Sequence, residues 1–475
     1  MMITKSAVRL HATPKAVITR YLEFGGTTRI QNVISRIAAL TDEEATDVMN
    51  NIIKEFKGRH RDIQHTFQDH FNKINELKPA GAGQFSETKQ LLLGALFTME
   101  YSIQSAALFN PSIVQHPDQA DLQPGQQRFI MSLRATGEGH ISSIVFKTGV
   151  VDNEGKIMLD EAPDFFTRLP RHAAYHYKKS FLKACAQRQP GFNEAVLDFF
   201  PPTFTAAFID TIAAIKCEED VSIIAAIATL QLIADTNYEL SSPAHLPMNE
   251  KVIFPTAKGE CMGMEDVRFV KFNEGGKTCY YGTYTAYNGH QIKTQLIETT
   301  NFNVFKIRSL YGAAVSDKGM ALFPEKVNGQ YVMISRQGGE MINIMFSDDL
   351  CYWQNYQQLM QPAYPWEMLQ LGNCGSPVKT EKGWLLLTHG VGPVRTYVIS
   401  AILLDLQDPT KIIGRLNKPL IKADETEREG YVPNVVYTCG LLQHGKLLLI
   451  PYAVSDSATG FVTVDTDEIL NEMKL

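Results

Sequence analysis

No block of basic residues longer than a few positions interrupts this 475-residue chain, whose 45 Lys+Arg stand against 51 Asp+Glu for a net charge of −6. A polyanion partner needs a concentrated cationic footprint, so nucleic acid and anionic membrane surfaces are excluded as principal ligands. Long apolar runs are missing as well. The longest, Val221 to Ala234, contains Gln231 and falls short of the roughly 20 residues that a bilayer span requires; it reads as a buried helix. The opening stretch MMITKSAVRLHATPKAVITR has Lys5, Arg9 and Lys15 where a secretory leader would need an unbroken apolar segment, and a cytoplasmic protein is expected. Seven cysteines, an odd number with no C-x-x-C pair, argue for reduced, buried thiols instead of a disulfide or zinc framework. What is present is globular in composition, with 44% hydrophobic and 10% aromatic residues and enough length for two or three domains at roughly 100–200 residues each.

Residues 28–108 read as helices. Thr41-Asp-Glu-Glu44 is a capping box, in which the Thr hydroxyl and the Glu carboxylate satisfy amides exposed at a helix start. Three helical segments are predicted from it, near 42–57, 60–78 and 87–108. His60, His65 and His70 recur every fifth residue, a spacing that scatters them around a helix, so they predict a solvated surface and no metal site. Beyond residue 108 the texture changes to short β-rich runs: RFIMSLRA from 128, YYGTYTAY from 280, YVMISR from 331, WLLLTH from 384 and LLLIPYA from 447. From the second run onward they recur at the length of one four-stranded propeller blade. The wider gap between the first two holds a helix-periodic stretch, about 160–238, in which His172 and His176 form a weak pair of potential metal ligands. The expected fold is mainly β: a five-bladed β-propeller over 108–475 with that helical insertion, preceded by a helical N-terminal region over 1–107.

In a propeller, polar residues at equivalent strand ends converge on one channel. Here those ends carry Arg134 with Glu138 and His140, Tyr287 with Asn288, Arg336, His389 and Asp456. Singly, each is an ordinary structural ion-pair member; as a ring of mixed sign they predict a polar ligand pocket. In CMGMEDVRF, Glu265 and Asp266 precede Arg268, and strand alternation sets Asp266 and Arg268 on one face. That arrangement is either a stable ion pair or a catalytic acid with its anchor. ALFPEKVNGQYVMISR and PWEMLQLGNCGSPVKTEKGWLLLTHG add the carboxylates Glu325 and Glu367 and, with neighbouring Lys318, the cations Arg336, Lys379 and His389. Carboxylates beside cations suit glycosidic cleavage or phosphate capture.

The stretches MEDVRFV, YTAY, ALFPEKVNGQYVMISR, SPVKTEKGWLLLTHGV and YVPNVVYTCG followed by YAVSDSATG resemble glycoside hydrolase family 130, the inverting β-mannoside phosphorylases and β-mannosidases. FNPSIVQHPD and RFIMSLRATGEGHISSIVF resemble that family's first blade, and the likeness spans about 105–158 and 245–475. It implies that Asp266 donates the proton to the glycosidic oxygen through a mannose hydroxyl. It further implies that Lys318, Arg336 and Lys379, with His389 near them, hold phosphate, that Asp456 contacts mannose, and that Arg134 and His140 recognise the sugar, with Arg268 and Tyr287 in the same pocket. ISRQGG and GNCGSP depart from the family's usual HRP-type and GAGPPP-like sequences, and both flank the implied anion site.

The leading expectation is therefore phosphorolysis of β-mannosides, with β-1,2-linked manno-oligosaccharides as the first choice and β-1,4 next, to α-mannose 1-phosphate, with inorganic phosphate as co-substrate and no other cofactor. An inverting β-mannosidase using Glu325 and Glu367 with water is the alternative, and a non-catalytic glycan-binding propeller the third. The apolar helical faces of 28–108 are compatible with a homo-oligomer.

Overall fold

The computed structural model describes residues 2–75, 77, 84–172, 175–243 and 245–474. Four helices open the chain: α1 (Thr27–Ala39), α2 (Asp42–Phe56), α3 (Ile63–Asn75) and α4 (Glu87–Leu96). The capping box forms as expected. The Glu44 amide donates to Thr41 Oγ1 at 3.2 Å, and the Thr41 amide to the Glu44 carboxylate at 2.7 Å. The apolar stripes of the four helices meet around Ile34, Phe67, Phe71, Leu92 and Phe97. The fourth helix stops at Leu96, well before residue 108, because Thr98–Ser102 pairs antiparallel with the β-forming segment Val17–Tyr21. His60 and His70 are buried, against the expectation of a solvated surface. His60 Nε2 lies 2.7 Å from Glu100, and His70 Nδ1 lies 2.7 Å from the Thr98 hydroxyl.

Among the described residues, five antiparallel meanders follow. The first runs through Ala107–Gln115, Gln127–Thr136 and Ser142–Val151, and the second through Gly263–Glu274, Lys277–Tyr287, Ile292–Thr299 and Val304–Ser309. The third comprises Ala321–Leu322, Tyr331–Ser335, Ile342–Ser347 and Gln357–Met360. In the fourth, Gln370–Asn373 and Val378–Lys379 flank Trp384–Val391, which continues to Tyr397–Leu404 and Ile412–Arg415. The fifth sets Val436–Tyr437 and Leu442–His444 against Leu447–Val454 and Ala458–Asp465. All five β-rich runs read in the sequence are second strands of these meanders.

Each meander packs its apolar face on the next. Phe269 and Tyr284 meet Ile130 and Phe146, Met320 and Met333 meet Val270 and Leu296, Trp384 and Leu386 meet Phe323 and Ile334, and Leu448 and Ile450 meet Leu385 and Leu387. The fifth returns to the first through Leu449 and Phe461 against Phe129 and Met131. Each fully buried side chain in these seams contributes about 1.5–3 kcal/mol.

The chain's first strand, Ile3–Lys5, completes the fifth meander by pairing antiparallel with its last strand, Ile3 opposite Val464. Glu427 locks this edge. Its carboxylate, 2% exposed, accepts from Lys5 Nζ at 2.8 Å, Arg9 Nη2 at 2.5 Å and the Tyr452 hydroxyl at 2.5 Å. Burial acts to raise its pKa, but these three donors outweigh it and hold the carboxyl below its usual range. Glu427→Ala is expected to cost about 2 kcal/mol of stability, because buried hydrogen bonds to a charge are lost and Arg9 loses its carboxylate while Lys5 keeps only Asp424. A melting temperature within a degree of wild type would contradict this.

Between the first two meanders lies the helical insertion: α5 (Lys179–Ala186), α6 (Ala206–Ile215) and α7 (Val221–Thr236), packed around Leu182, Leu197, Ile209, Ile227 and Leu230. The run expected to be a buried helix is only half-buried. Val221 is 80% and Leu232 52% exposed. His176 lies on a short strand paired with Thr203–Thr205, so His172 and His176 do not share a helix face. All seven cysteines are free, and Cys217 and Cys261 are exposed where buried thiols were expected. Among the described residues no helix is long and apolar enough to cross a membrane.

Candidate active site

Two bulges build the site. Pairing of Ala107–Gln115 with its neighbour slips between Phe109 and Ser112, and pairing of Gly263–Glu274 slips between Glu265 and Arg268. At these points Asn110 and Asp266 take φ of 49° and 54°, a left-handed conformation that short polar side chains tolerate at a cost of roughly 1 kcal/mol or more. A bulge re-aims the side chain that it carries. Asn110 Nδ2 donates to Asp266 Oδ1 at 2.7 Å, and Arg134 Nη1 approaches the same oxygen at 3.4 Å while its Nη2 pairs with Glu265 at 2.7 Å. Arg268 makes no direct pair with the Asp266 carboxylate. Its Nη1 donates to the Asp266 carbonyl at 2.9 Å and its Nη2 to the Tyr437 hydroxyl at 2.5 Å, so the guanidinium braces the bulge.

Asp266 opens into a cavity of about 320 Å³ whose walls carry Asn110, Arg134, Arg268, Lys318, Gly319, Arg336, Gln370, His389, Arg395, Tyr397, Val435, Tyr437 and Asp456. Cations outnumber carboxylates on this wall. Four buried polar atoms have no protein partner: Asn110 Oδ1, Arg268 Nε, Arg336 Nε and His389 Nε2. Such atoms are costly in an empty protein interior and mark where a polar ligand docks.

Burial pushes the Asp266 carboxyl up, but Arg134, Lys318 and Arg268 together outweigh it and hold the group below its usual range. Asp266 is therefore ionised in the unliganded protein at neutral pH. His389 is 2% exposed, and burial, with Arg336 and Arg268 nearby, pushes its basicity well below the ordinary value. It is neutral. With Nδ1 donating to the Asn373 carbonyl at 3.2 Å, Nε2 carries the free lone pair. A Cβ on Gly372 would sit 2.2 Å from His389 Cε1, so only glycine leaves room for the ring.

Burial and the facing Asp266 push Asp456 up to about 6. Because this lies above the ordinary 3.8, protonated Asp456 favours the fold, and that contribution is lost as the pH rises through about 6. Asp456→Asn is accordingly expected to raise the melting temperature by a few degrees at about pH 8 and by less at about pH 5. An equal shift at both pH values would contradict the assignment.

The structure thus brings together seven of the residues singled out in the sequence: Asp266, Arg134, Arg268, Asp456, Lys318, Arg336 and His389. Five others lie outside the cavity wall. Lys379 stands opposite Trp384 whereas His389 stands opposite Gly372, and five residues at ~3.3 Å each put Lys379 roughly 16 Å further along the sheet. There it pairs with Glu325 at 2.5 Å, both half-exposed. Glu367 is consumed structurally, accepting from Arg415 at 2.5 Å and from the Ala363 and Tyr364 amides at 3.0 Å. Tyr287 ends a second strand, and its hydroxyl donates to the Gly289 carbonyl at 3.0 Å. His140 rests against Tyr431, 3.3 Å from its hydroxyl. Asn110, Gln370, Arg395, Tyr397 and Tyr437 were not foreseen; only the Asn110-Pro111 dipeptide carries a local signal, as a strand breaker.

The profile described as beta-1,4-mannooligosaccharide phosphorylase, Glyco_hydro_130, matches residues 228–475. This chain belongs to glycoside hydrolase family 130. The matched part of the family 130 domain includes Asp266, Lys318, Arg336, His389 and Asp456, and leaves the N-terminal helices and most of the insertion outside. A 1,2-beta-oligomannan phosphorylase of Thermoanaerobacter sp. (strain X514) is 33% identical over 47% of this chain and 75% of its own length. A beta-1,2-mannobiose phosphorylase of Listeria innocua is 28% identical over 49% of this chain and 66% of its own. Among solved structures, the Listeria innocua beta-1,2-mannobiose phosphorylase in complex with beta-1,2-mannobiose aligns with a TM-score of 0.47 at 20% identity, over 77% of this chain and 92% of that one.

Proposed function

We propose that the protein is an inverting β-mannoside phosphorylase. It takes a terminal β-mannosyl unit of a manno-oligosaccharide, β-1,2-linked first and β-1,4-linked second, and inorganic phosphate to α-mannose 1-phosphate and the shortened sugar. The observation that carries this reading is one cavity in which the Asp266 carboxylate faces Arg268, Lys318 and Arg336. The relatives named as phosphorylases of β-1,2-mannosides support the substrate class.

A phosphate oxygen attacks the anomeric carbon from the face opposite the leaving group, the carbon–oxygen glycosidic bond breaks, and the leaving oxygen takes a proton. Asp266 supplies that proton through a mannose hydroxyl, and the proton of hydrogen phosphate restores it, so the balance closes without another cofactor. Asp266 must be protonated to act. A phosphate dianion on Lys318, Arg268 and Arg336 offsets the charges that keep it ionised, so phosphate binding itself raises its proton affinity. Charge-assisted donors of this kind are what a buried dianion requires. Arg134 and Asp456 bind the mannosyl unit.

Hydrolysis through Glu325 and Glu367 finds less support. An inverting pair must flank the scissile bond roughly 6.5–9.5 Å apart, and both carboxylates are engaged elsewhere. A non-catalytic glycan binder would have no need of the ionisable Asp266. We further infer that the five meanders are the blades of a β-propeller over 108–475, a reading supported by the seam between the fifth and the first. The helical region 1–107 and the insertion are taken as additions to it, and a phosphorylated product retained in the cell fits a cytoplasmic enzyme.

The test is incubation with β-1,2-mannobiose, with and without inorganic phosphate, assaying mannose 1-phosphate and free mannose separately. Phosphate-dependent mannose 1-phosphate is expected. Free mannose at the same rate without phosphate would replace phosphorolysis by hydrolysis.

A further inference from the structure

Where α7 passes the second meander, the insertion leaves a groove of about 430 Å³. Thr229, Leu232 and Thr236 of α7 form one wall, and the strand start Ile292–Gln295 with the loop 310–317 forms the other. The loop wall is fixed. The Tyr311 amide donates to the Cys351 carbonyl at 2.8 Å and the Trp353 amide to the Tyr311 carbonyl at 2.7 Å. Gly312, at φ +104°, has no space for a Cβ, which would lie 2.1 Å from the Trp353 carbonyl oxygen.

The lining is polar and carries the charged side chains Arg188, Lys293 and Asp317. Arg188 at one end pairs with Asp349, and its guanidinium lies 5.2 Å from the Tyr352 ring centre and 5.5 Å from that of Tyr311. Gln295 is 3% exposed, and its amide oxygen has no hydrogen-bond partner, a deficit of about 1–3 kcal/mol that a ligand hydroxyl would remove. Leu232 and the Tyr352 ring offer apolar surface in the same groove. A free acceptor together with apolar faces suits the alternating polar edges and C–H faces of a sugar chain. The groove adjoins the candidate active site: Asp317 lines the groove, and the next residue, Lys318, lines the cavity holding Asp266.

We propose that this groove is a distal sugar-binding site that holds the acceptor-side end of a manno-oligosaccharide whose terminal unit lies in the candidate active cavity. The inference rests on the β-mannoside activity proposed above. It gives the last helix of the insertion, whose wall residues Thr229, Leu232 and Thr236 fall within the family match, a role in selecting chain length. On this reading a disaccharide stays within the cavity, whereas a chain of four mannose units extends into the groove.

The test compares kcat/KM for β-1,2- and β-1,4-linked manno-oligosaccharides of two and four units, with saturating phosphate, in wild type, Leu232→Trp and Gln295→Leu. Leu232 is more than half exposed, so the larger ring fills the groove without entering the core. Wild type is expected to favour the four-unit chain about tenfold, the worth of one or two neutral hydrogen bonds. Leu232→Trp should abolish that preference through KM while leaving two-unit kinetics unchanged, and Gln295→Leu should reduce it. Turnover of two- and four-unit chains at equal kcat/KM by wild type, or equal losses for both lengths in the variants, would overturn the groove while leaving the activity standing. Turnover of neither length would overturn the activity instead. Calorimetry with the four-unit chain then decides the groove: tighter binding to wild type than to Leu232→Trp upholds it, and equal or absent binding overturns it.

Discussion

Asp266→Asn is expected to lower kcat for β-mannoside phosphorolysis by about 10³-fold or more, the scale of a lost general acid. Asparagine keeps the shape and can still accept from Asn110 and Arg134, so KM for the sugar should change far less than kcat. The substitution also removes a carboxylate whose pKa is depressed in the fold. Such a group contributes stability above its unfolded value and loses it as the pH falls through the folded value. A somewhat lower melting temperature at neutral pH therefore accompanies the loss of activity, and the assay belongs well below it. The same electrostatics predicts a pH signature. If phosphate offsets the cations that keep Asp266 ionised, the basic limb of the kcat/KM profile for the sugar should move to higher pH as phosphate approaches saturation. Loss of less than tenfold in kcat would remove Asp266 from the proton path, and a basic limb independent of phosphate would remove the coupling.

Arg336→Ala should raise KM for phosphate about 100-fold, with a smaller effect on kcat. The guanidinium is 8% exposed, and its Nε has no protein partner; a charge-assisted bond to a dianion is worth about 1.5–3 kcal/mol. Burial, with Arg336 and Arg268 beside it, keeps the neighbouring His389 imidazole neutral, and because burial and Arg268 remain, the loss in Arg336→Ala should persist at acid pH. Lys379→Ala is the matched control. Lys379 pairs with Glu325 away from the cavity, and its removal should leave the phosphate KM within about twofold, as for an exposed ion pair. Unchanged phosphate dependence in Arg336→Ala, or a large change in Lys379→Ala, would reverse the assignment of the anion site.

These two cations illustrate what the sequence made legible. Arg336 directly follows the second strand Tyr331–Ser335 and His389 lies near the end of Trp384–Val391, both apolar runs that stand out in the sequence and can be counted along. Lys379 belongs to a strand of two residues, Val378–Lys379, and Glu325 follows another, Ala321–Leu322. Segments that short have no periodicity to read, so nothing local says which end of the sheet a side chain occupies; only the pairing register does. The carboxylate pair Glu325 and Glu367 looked catalytic because residue type is visible in a sequence and a salt-bridge partner is not. Glu367 meets Arg415 only after the fourth meander has formed. Asp266 could be found because its motif is distinctive, but the bulge that turns it into the cavity, with Arg268 on its carbonyl instead of its carboxylate, lies beyond strand alternation. Asn110 shares that device; its Asn-Pro dipeptide marks a break in the strand but does not say where the break aims the side chain. The helices divide similarly: the capping box of α2 is local and was legible, whereas the end of α4 is set by a strand partner some 80 residues away.

The edge pairing of Ile3 with Val464 bears on how the molecule comes to be made. The two strands lie about 460 residues apart along the chain. Until they meet, Lys5 and Arg9 have no Glu427, and the fifth meander lacks its outer strand. Contacts of such sequence separation slow folding, because the entropy of closing the chain must be lost before they contribute. This pairing is therefore a late step of folding, and the open edge of the fifth meander is the surface most exposed to mispairing until it forms.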